Sequence, residues 1–358
     1  MRASTLLSIL CSITAAWLAP RDAYSDPPIK IGVVSGLTGI AAKWNHFQNN
    51  GIRLAQEEYN SAGIPVEVIF EDSQTMGAKS ISAFNKLIEF DRVDGVIGAD
   101  FGFAVAPLIP LANRRAKLLV TLSLPQDTYC QKSNGYFFSL ASQFELSRPT
   151  FEAYFAKHPE IKRAAMFIFD DPEWGASYQA IWSDVAAKAG VSIVNTFLSN
   201  DPNPDFRSIV LRSLAKKPDL LMLAHEPITF SKAVAASGYR GPILSANNYL
   251  EVLAGHEDVG EISRHVTIAD PIVRDEFANA YRARFHEPPF LEAYSGYEAV
   301  RVVVKALLAD RVHPHTALRA LRYQGVAGEI DFTGPSCAGN HTRWGLFQIE
   351  NGSLLRIE

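Results

Sequence analysis

Residues 29–44 read Ile29-Lys-Ile-Gly-Val-Val-Ser-Gly36-Leu-Thr-Gly39-Ile-Ala-Ala-Lys-Trp44. Ile31, Val33 and Val34 make a short apolar run of the kind buried in a parallel sheet. Gly36 and Gly39 break it. Beyond Trp44, Ile52, Ala55 and Tyr59 recur at i, i+3, i+7, the spacing of one helix face. A strand thus ends in a glycine loop that delivers a tryptophan to a helix entrance. In an open α/β sheet that place is the crevice beyond the carboxyl ends of the strands, where ligands bind. An ordinary turn with Trp44 as a core aromatic is the alternative reading.

The same alternation runs outward from this stretch. Val66–Asp72, Val93–Asp100 and Lys117–Ser123 read as strands, with helices around Ile81–Ile88 and Pro107–Arg115 between them. This is the doubly wound pattern. After the extended run Gly135–Ala141 it starts again, with strands at Ala164–Asp170, Val191–Leu198, Asp219–Ala224 and Pro242–Ser245. Helices lie between, two of them closed by Gly190 and Gly238. Asp205 is placed to cap the helix from Phe206. His265–Ala269 reads as a further strand, and Gly328–Thr333 with Trp344–Glu350 as a hairpin. Two α/β units follow in tandem without a flexible linker, so the chain is expected to cross between them through paired extended segments.

The 358 residues suffice for two domains, and 47% hydrophobic with 20% charged residues suits globular cores rather than disorder. Net charge is −4. A mildly acidic chain without a basic run argues against nucleic acid as a partner. Residues 1–25 read as a secretory signal. Arg2 is followed by the apolar run Leu6–Ala19, too short to span a bilayer, and then by Ala23-Tyr24-Ser25 before a cut at Asp26. Cys11 follows Leu10 rather than a small residue, so a soluble exported protein is expected, not a lipid-anchored one. Beyond the signal remain Cys130 and Cys337. In an oxidising compartment they invite a disulfide; two separate buried thiols are the other reading.

The chemistry of an enzyme is missing. His225-Glu226, His256-Glu257 and His286-Glu287 lack the second histidine of a zinc-protease helix. There is no Gly-x-Ser-x-Gly elbow and no phosphate-binding Gly-Lys-Ser/Thr loop, and the Gly32–Gly39 loop is not Gly-x-Gly-x-x-Gly. No cofactor, metal site or catalytic residue is expected.

The residues resemble a family. Ile29–Trp44 with Asn50-Gly51-Ile-Arg-Leu-Ala55, Glu71-Asp72-Ser73-Gln74 and Asp171-Pro-Glu-Trp174-Gly175 are similar to the type I periplasmic binding proteins of the leucine/isoleucine/valine-binding group. So are Asp205-Phe206-Arg207, Ala278–Phe285 with Glu287-Pro288, and Tyr297-Glu298-Ala299-Val300. These are solute receptors of ABC importers. The resemblance implies an α/β fold of two doubly wound, three-layer lobes joined by three crossover strands, a Venus flytrap that closes on its ligand. Carried over, lobe I is residues 26–141 and 249–325, and lobe II is 142–248 and 326–358. The hinge strands fall near Phe138–Ser142, Ala246–Tyr249 and Val326–Ile330.

The resemblance also implies a site. Trp44 matches a wall of the family's pocket, and Trp174 matches the aromatic that covers the ligand from lobe II. The serine-rich loop that holds a ligand carboxylate is replaced here by Phe101-Gly102-Phe103. The next loop offers Ser123 and Leu124 before Pro125. An acid of the family is replaced by Asn247, and a tyrosine by Glu226, read either as the contact for a ligand cation or as a surface residue. The expected function is that of a periplasmic receptor binding an amino-acid-like or aromatic, apolar solute. Its partners would be the solute and the importer's membrane permease subunits, and the protein itself a monomer. The rivals are a secreted sensor presenting solute to a receptor or kinase, and a secreted hydrolase.

Overall fold

The structure, a computed structural model, describes residues 27–123, 127–131, 135–141, 143–202, 204–247, 260–350 and 353–358. The signal segment expected over 1–25 lies outside these residues.

The first five strands are β1 (Ile29–Ser35), β2 (Val66–Asp72), β3 (Gly95–Ala99), β4 (Leu118–Thr121) and β5 (Phe137–Ser139). They form a parallel sheet in the order β2-β1-β3-β4-β5. One face carries a core of Ile31, Val33, Ile97 and Val120, packed against the helices Ala42–Ser61 and Leu291–Ala309. The other holds Val34, Phe84, Leu87, Val96 and Leu119 against the helix Gly77–Glu89. The run that reads as doubly buried is so: Ile31, Val33 and Val34 are fully shielded from solvent.

The next five strands are β6 (Arg163–Phe169), β7 (Ser192–Ser199), β8 (Leu220–Ala224), β9 (Ile243–Ser245) and β10 (Val266–Pro271). Three short strands follow, β11 (Arg322–Gln324), β12 (Gly328–Asp331) and β13 (Asn340–Thr342), in a small antiparallel sheet. The last two are β14 (Trp344–Glu350) and β15 (Ser353–Arg356). The second large sheet has the order β15-β14-β10-β9-β8-β6-β7. It too separates two cores, one around Phe151, Tyr178 and Trp182, the other around Phe167, Phe206 and Phe230. Each lobe is therefore a three-layer sandwich.

The sheets move two of the expected crossings. β10 pairs in parallel with β9 and antiparallel with β14, and buries Val266 and Ile268 in the second lobe. The return to lobe I comes after Pro271, not near residues 246–249. Val326, Ala327, Ile330 and Phe332 pack in the core of lobe I, so the last crossing falls between β13 and β14, not at 326–330. The expected hairpin of 328–333 with 344–350 is also corrected: β12 pairs with β11 and β13, and β14 with β10 and β15. The reason is shared. Extended segments near a hinge have the same apolar pattern whichever lobe they join, and pairing decides.

The crossings are paired extended chain, as expected. The Asn340 side chain donates to the Leu140 carbonyl at 3.0 Å, and the Gln143 side chain donates to the Asn340 carbonyl at 2.9 Å. The Ile272 N–H donates to the Arg343 carbonyl at 2.7 Å. Cys130 and Cys337 are joined in a disulfide with Cα atoms 5.3 Å apart. Both sulfurs lie in lobe I.

Candidate functional site

In lobe I the loops at the carboxyl edge of the sheet are tied from below. Asp100 follows β3 and is 2% exposed. Its Oδ1 accepts the Phe101 N–H at 2.8 Å, and its Oδ2 accepts the Ser73 hydroxyl. Burial pushes the Asp100 carboxyl above the usual carboxylate range, and those donors pull against it. Gly36 is needed here because a Cβ would lie 2.5 Å from Thr75 Oγ1 and 3.2 Å from Asp100 Oδ2. Gly39 turns the chain at φ +90°, a conformation glycine adopts at no steric cost.

Above this polar layer stands an aromatic wall. Trp44, in the first turn of its helix, lies 5.7 Å from Phe101, and Phe101 lies 5.9 Å from Phe103. Trp44 and Phe101 are half-buried, whereas Phe103 is 60% exposed. Gly102 opens the short helix that follows. Ser123 turns inward, its hydroxyl donating to the Asp100 carbonyl at 2.5 Å, and the Thr121 hydroxyl donates to the Ser123 carbonyl at 2.8 Å. Leu124 lies outside the described residues. The hydroxyls of this edge thus serve the fold, and rings face outward.

In lobe II, Asp171 accepts the N–H groups of Glu173, Trp174 and Gly175 at 2.8–2.9 Å and fixes the start of the helix Trp174–Lys188. Trp174 is half-buried. Its indole N–H donates to Asn247 Oδ1 at 3.3 Å, and the buried Tyr178 hydroxyl donates to the same oxygen at 3.1 Å. Asn247 is thereby a buried acceptor that holds Trp174 over the end of β9.

Glu226 has a different task from the one expected of it. Its carboxylate accepts the N–H groups of Ile228 at 2.8 Å and Thr229 at 2.7 Å, and the Thr229 hydroxyl. It is the N-cap of the helix Pro227–Ser237, with proline at the first helical position. That capping role stands beside the two readings the sequence allowed for it, a ligand contact and a surface residue. Glu226→Ala should destabilise the protein by roughly 1 kcal/mol, with Glu226→Gln costing less because an acceptor remains. Urea unfolding checks this. Equal stability of wild type and the alanine variant would remove the capping role.

Sequence reading overlooked Asp100, Tyr178 and Asp270. A signal existed: apolar strands that end in an acid at Ala99-Asp100, Phe169-Asp170 and Ala269-Asp270. Asp100 follows β3 of the first sheet, whereas Asp170 follows β6 and Asp270 lies near the end of β10 in the second. No cluster of metal-ligating side chains occurs among the described residues.

Two doubly wound lobes, each ending in an aromatic-bearing rim and joined by paired crossings, define a bilobal binding protein. The chain belongs to the periplasmic binding protein family, whose model matches residues 28–353. Its structure is similar to that of the isoleucine-bound substrate-binding protein LivJ, of a branched-chain amino acid transporter from Streptococcus pneumoniae. The TM-score is 0.77 at 19% identity, covering 92% of this chain and 100% of that one. It is similar also to an ABC-transporter solute-binding protein of Rhodopseudomonas palustris in complex with 3,4-dihydroxybenzoic acid, at TM-score 0.77 and 21% identity over 92% of this chain and 96% of that one. A second R. palustris solute-binding protein, with benzoate, gives 0.76 and 16% over 92% and 96%. No curated protein matches the chain.

Proposed function

We propose that the protein is an exported solute receptor of an ABC importer. It binds a small amino-acid-like or aromatic, apolar solute between its lobes and presents the closed form to the importer's membrane subunits. The observation that supports this most is the pair of half-buried tryptophans at the rims of different lobes, Trp44 beside Phe101 and Trp174 held by Asn247. A solute touching both rims gains its second set of contacts only when the lobes close, so binding shifts the population toward closure. The solved relatives bind isoleucine, 3,4-dihydroxybenzoate and benzoate, a range of small solutes consistent with this class.

The test is a thermal-shift screen over amino acids, aromatic acids, amides and amines. A true solute at about 100 times its dissociation constant stabilises by roughly 2.7 kcal/mol. A screen in which nothing shifts the transition counts against the reading. With the solute in hand, both tryptophans should lose exposure on closure, so acrylamide should quench each less in its presence. Variants keeping only Trp44 or only Trp174 at the rim assign the signal. Unchanged quenching at either ring removes that residue from the site.

A further inference from the structure

The end of β10 buries a carboxyl group with one oxygen that has no hydrogen-bond partner among the described residues. The parallel register pairs Ile268 with Ser245. Asp270 and Asn247, each two residues further on, therefore stand level at neighbouring strand ends. With the order β10-β9-β8, adjacent strand ends carry Asp270, Asn247 and Glu226. Glu226 is spent on its helix, and the Asn247 oxygen on Trp174 and Tyr178. Asp270 is 7% exposed, and its Oδ1 has no hydrogen-bond partner among the described residues. It lies within the electrostatic reach of Tyr178, so it belongs to the same corner as Asn247 and Trp174.

A buried carboxylate lacking donors is costly in its charged form and is stabilised by a cation that reaches it. Among the described residues no cation is paired with Asp270. Burial pushes the Asp270 carboxyl well above its usual range, and the neighbouring Glu292, from the first turn of the helix Leu291–Ala309, adds to the effect. On the opposite rim the hydroxyls of Ser73, Thr121 and Ser123 are turned inward, so they are spent before an anion arrives. What faces outward is aromatic, and the Lys43 ammonium already lies 5.7 Å over the Trp44 ring. Aromatic ring faces attract cations.

Resting on the receptor reading above, we infer that the cleft selects a solute carrying a protonated amine on an apolar body, and that Asp270 is the carboxylate that receives the amine. The inference reassigns the cation contact from Glu226 to the strand end on the other side of Asn247.

Two matched pairs test it, each sharing one apolar body: phenethylamine against 3-phenylpropanoate, and isoamylamine against 4-methylpentanoate. In calorimetry on the purified protein, an amine should bind at least about tenfold more tightly than its matched acid. Asp270→Asn should weaken that amine by about tenfold or more, the loss of one charge-assisted hydrogen bond. The ligand-free variant should melt at the same temperature or higher, since the carboxyl it replaces has no hydrogen bond at Oδ1 to lose. An acid that binds as well as its amine overturns the cationic class and leaves the receptor reading standing. Amines that give no heat overturn the inference too. An amine held equally by Asp270→Asn, or a variant that melts earlier, shows that Asp270 is structural and overturns its assignment.

Discussion

Breaking the Cys130–Cys337 disulfide should lower the thermal midpoint by roughly 10 °C, the largest loss available from a single covalent change. The sulfurs close a loop across a sequence separation of 207 residues. In the chain-entropy picture a loop of that size limits the unfolded state by about 5 kcal/mol, and removing a native bridge typically costs about 2–5 kcal/mol. For a chain this long each kcal/mol moves the midpoint by about 2–4 °C or somewhat less. The place of the bond matters as much as the loop. Cys130 stands just before the first crossing and Cys337 just before the last, both on the lobe I side. The Ser139 N–H donates to the Cys337 carbonyl at 2.9 Å beside it. The lobe II strands β6 to β10 are thus strung between two points stapled in lobe I, whereas β14 and β15 lie beyond the second. A Cys130→Ser/Cys337→Ser double variant separates loss of the bond from exposure of thiols. Because neither sulfur touches the aromatic wall or Asn247, solute affinity measured well below the transition should change less than about threefold, within the scatter of a surface change. Two reactive thiols in the denatured, unreduced protein, or an unmoved midpoint, would sink the idea.

The sequence made the fold legible where the signal was local. β-branched runs ending in glycine loops gave both sheets, and Gly190, Gly238 and the Asp205 cap marked helix ends that the structure reproduces. It was less informative at the hinge. His265–Ala269 was read as a strand, but nothing in its own residues says that its neighbour is β9 rather than a strand of lobe I. That is settled by long-range pairing. The site shows the same divide. Trp44 and Trp174 stand in the first turns of helices, where the order of strand, loop and helix in the sequence places them. For Glu226 the sequence does not reveal the capping bonds, because a carboxylate after a strand looks the same whether it caps the next helix or awaits a ligand. Proline after it, at the first helical position, was the available clue. The strand that Asp270 ends belongs to lobe II through its pairing with β9 and β14, which the residues of the strand alone do not reveal.

Gly51→Ala should destabilise the protein, although alanine in a helix interior normally gains about 1 kcal/mol over glycine. Gly51 sits in the helix Ala42–Ser61, where it crosses Leu291–Ala309 with backbone against backbone. A Cβ on Gly51 would lie 1.8 Å from the Ala293 carbonyl oxygen, and one on Gly296 2.2 Å from the Gln48 carbonyl oxygen. Neither obstacle is a side chain that can turn away, so the helices themselves must part. Overpacking of that kind costs about 1–3 kcal/mol, occasionally more, and here it also opens the core that holds Ile52, Tyr294 and Val300. Set against the propensity gain, the net loss should be roughly 1–2 kcal/mol, with Gly51→Val worse. A function follows from the same contact. The first turn of the Gly51 helix carries Trp44, and the buried Asn45 beside it donates to the Gly36 carbonyl at 3.4 Å. A helix pushed off its partner tilts that turn against a loop fixed by Gly36 and Asp100, and so shifts Trp44 relative to Phe101. Solute affinity should therefore fall together with stability, whereas removal of the disulfide, which acts far from this contact, should lower stability alone. Urea unfolding paired with calorimetry on the two variants separates the cases. A Gly51→Ala protein as stable as the wild type, with affinity intact, would show that the two helices have room to spare and that the close crossing does not position the aromatic wall.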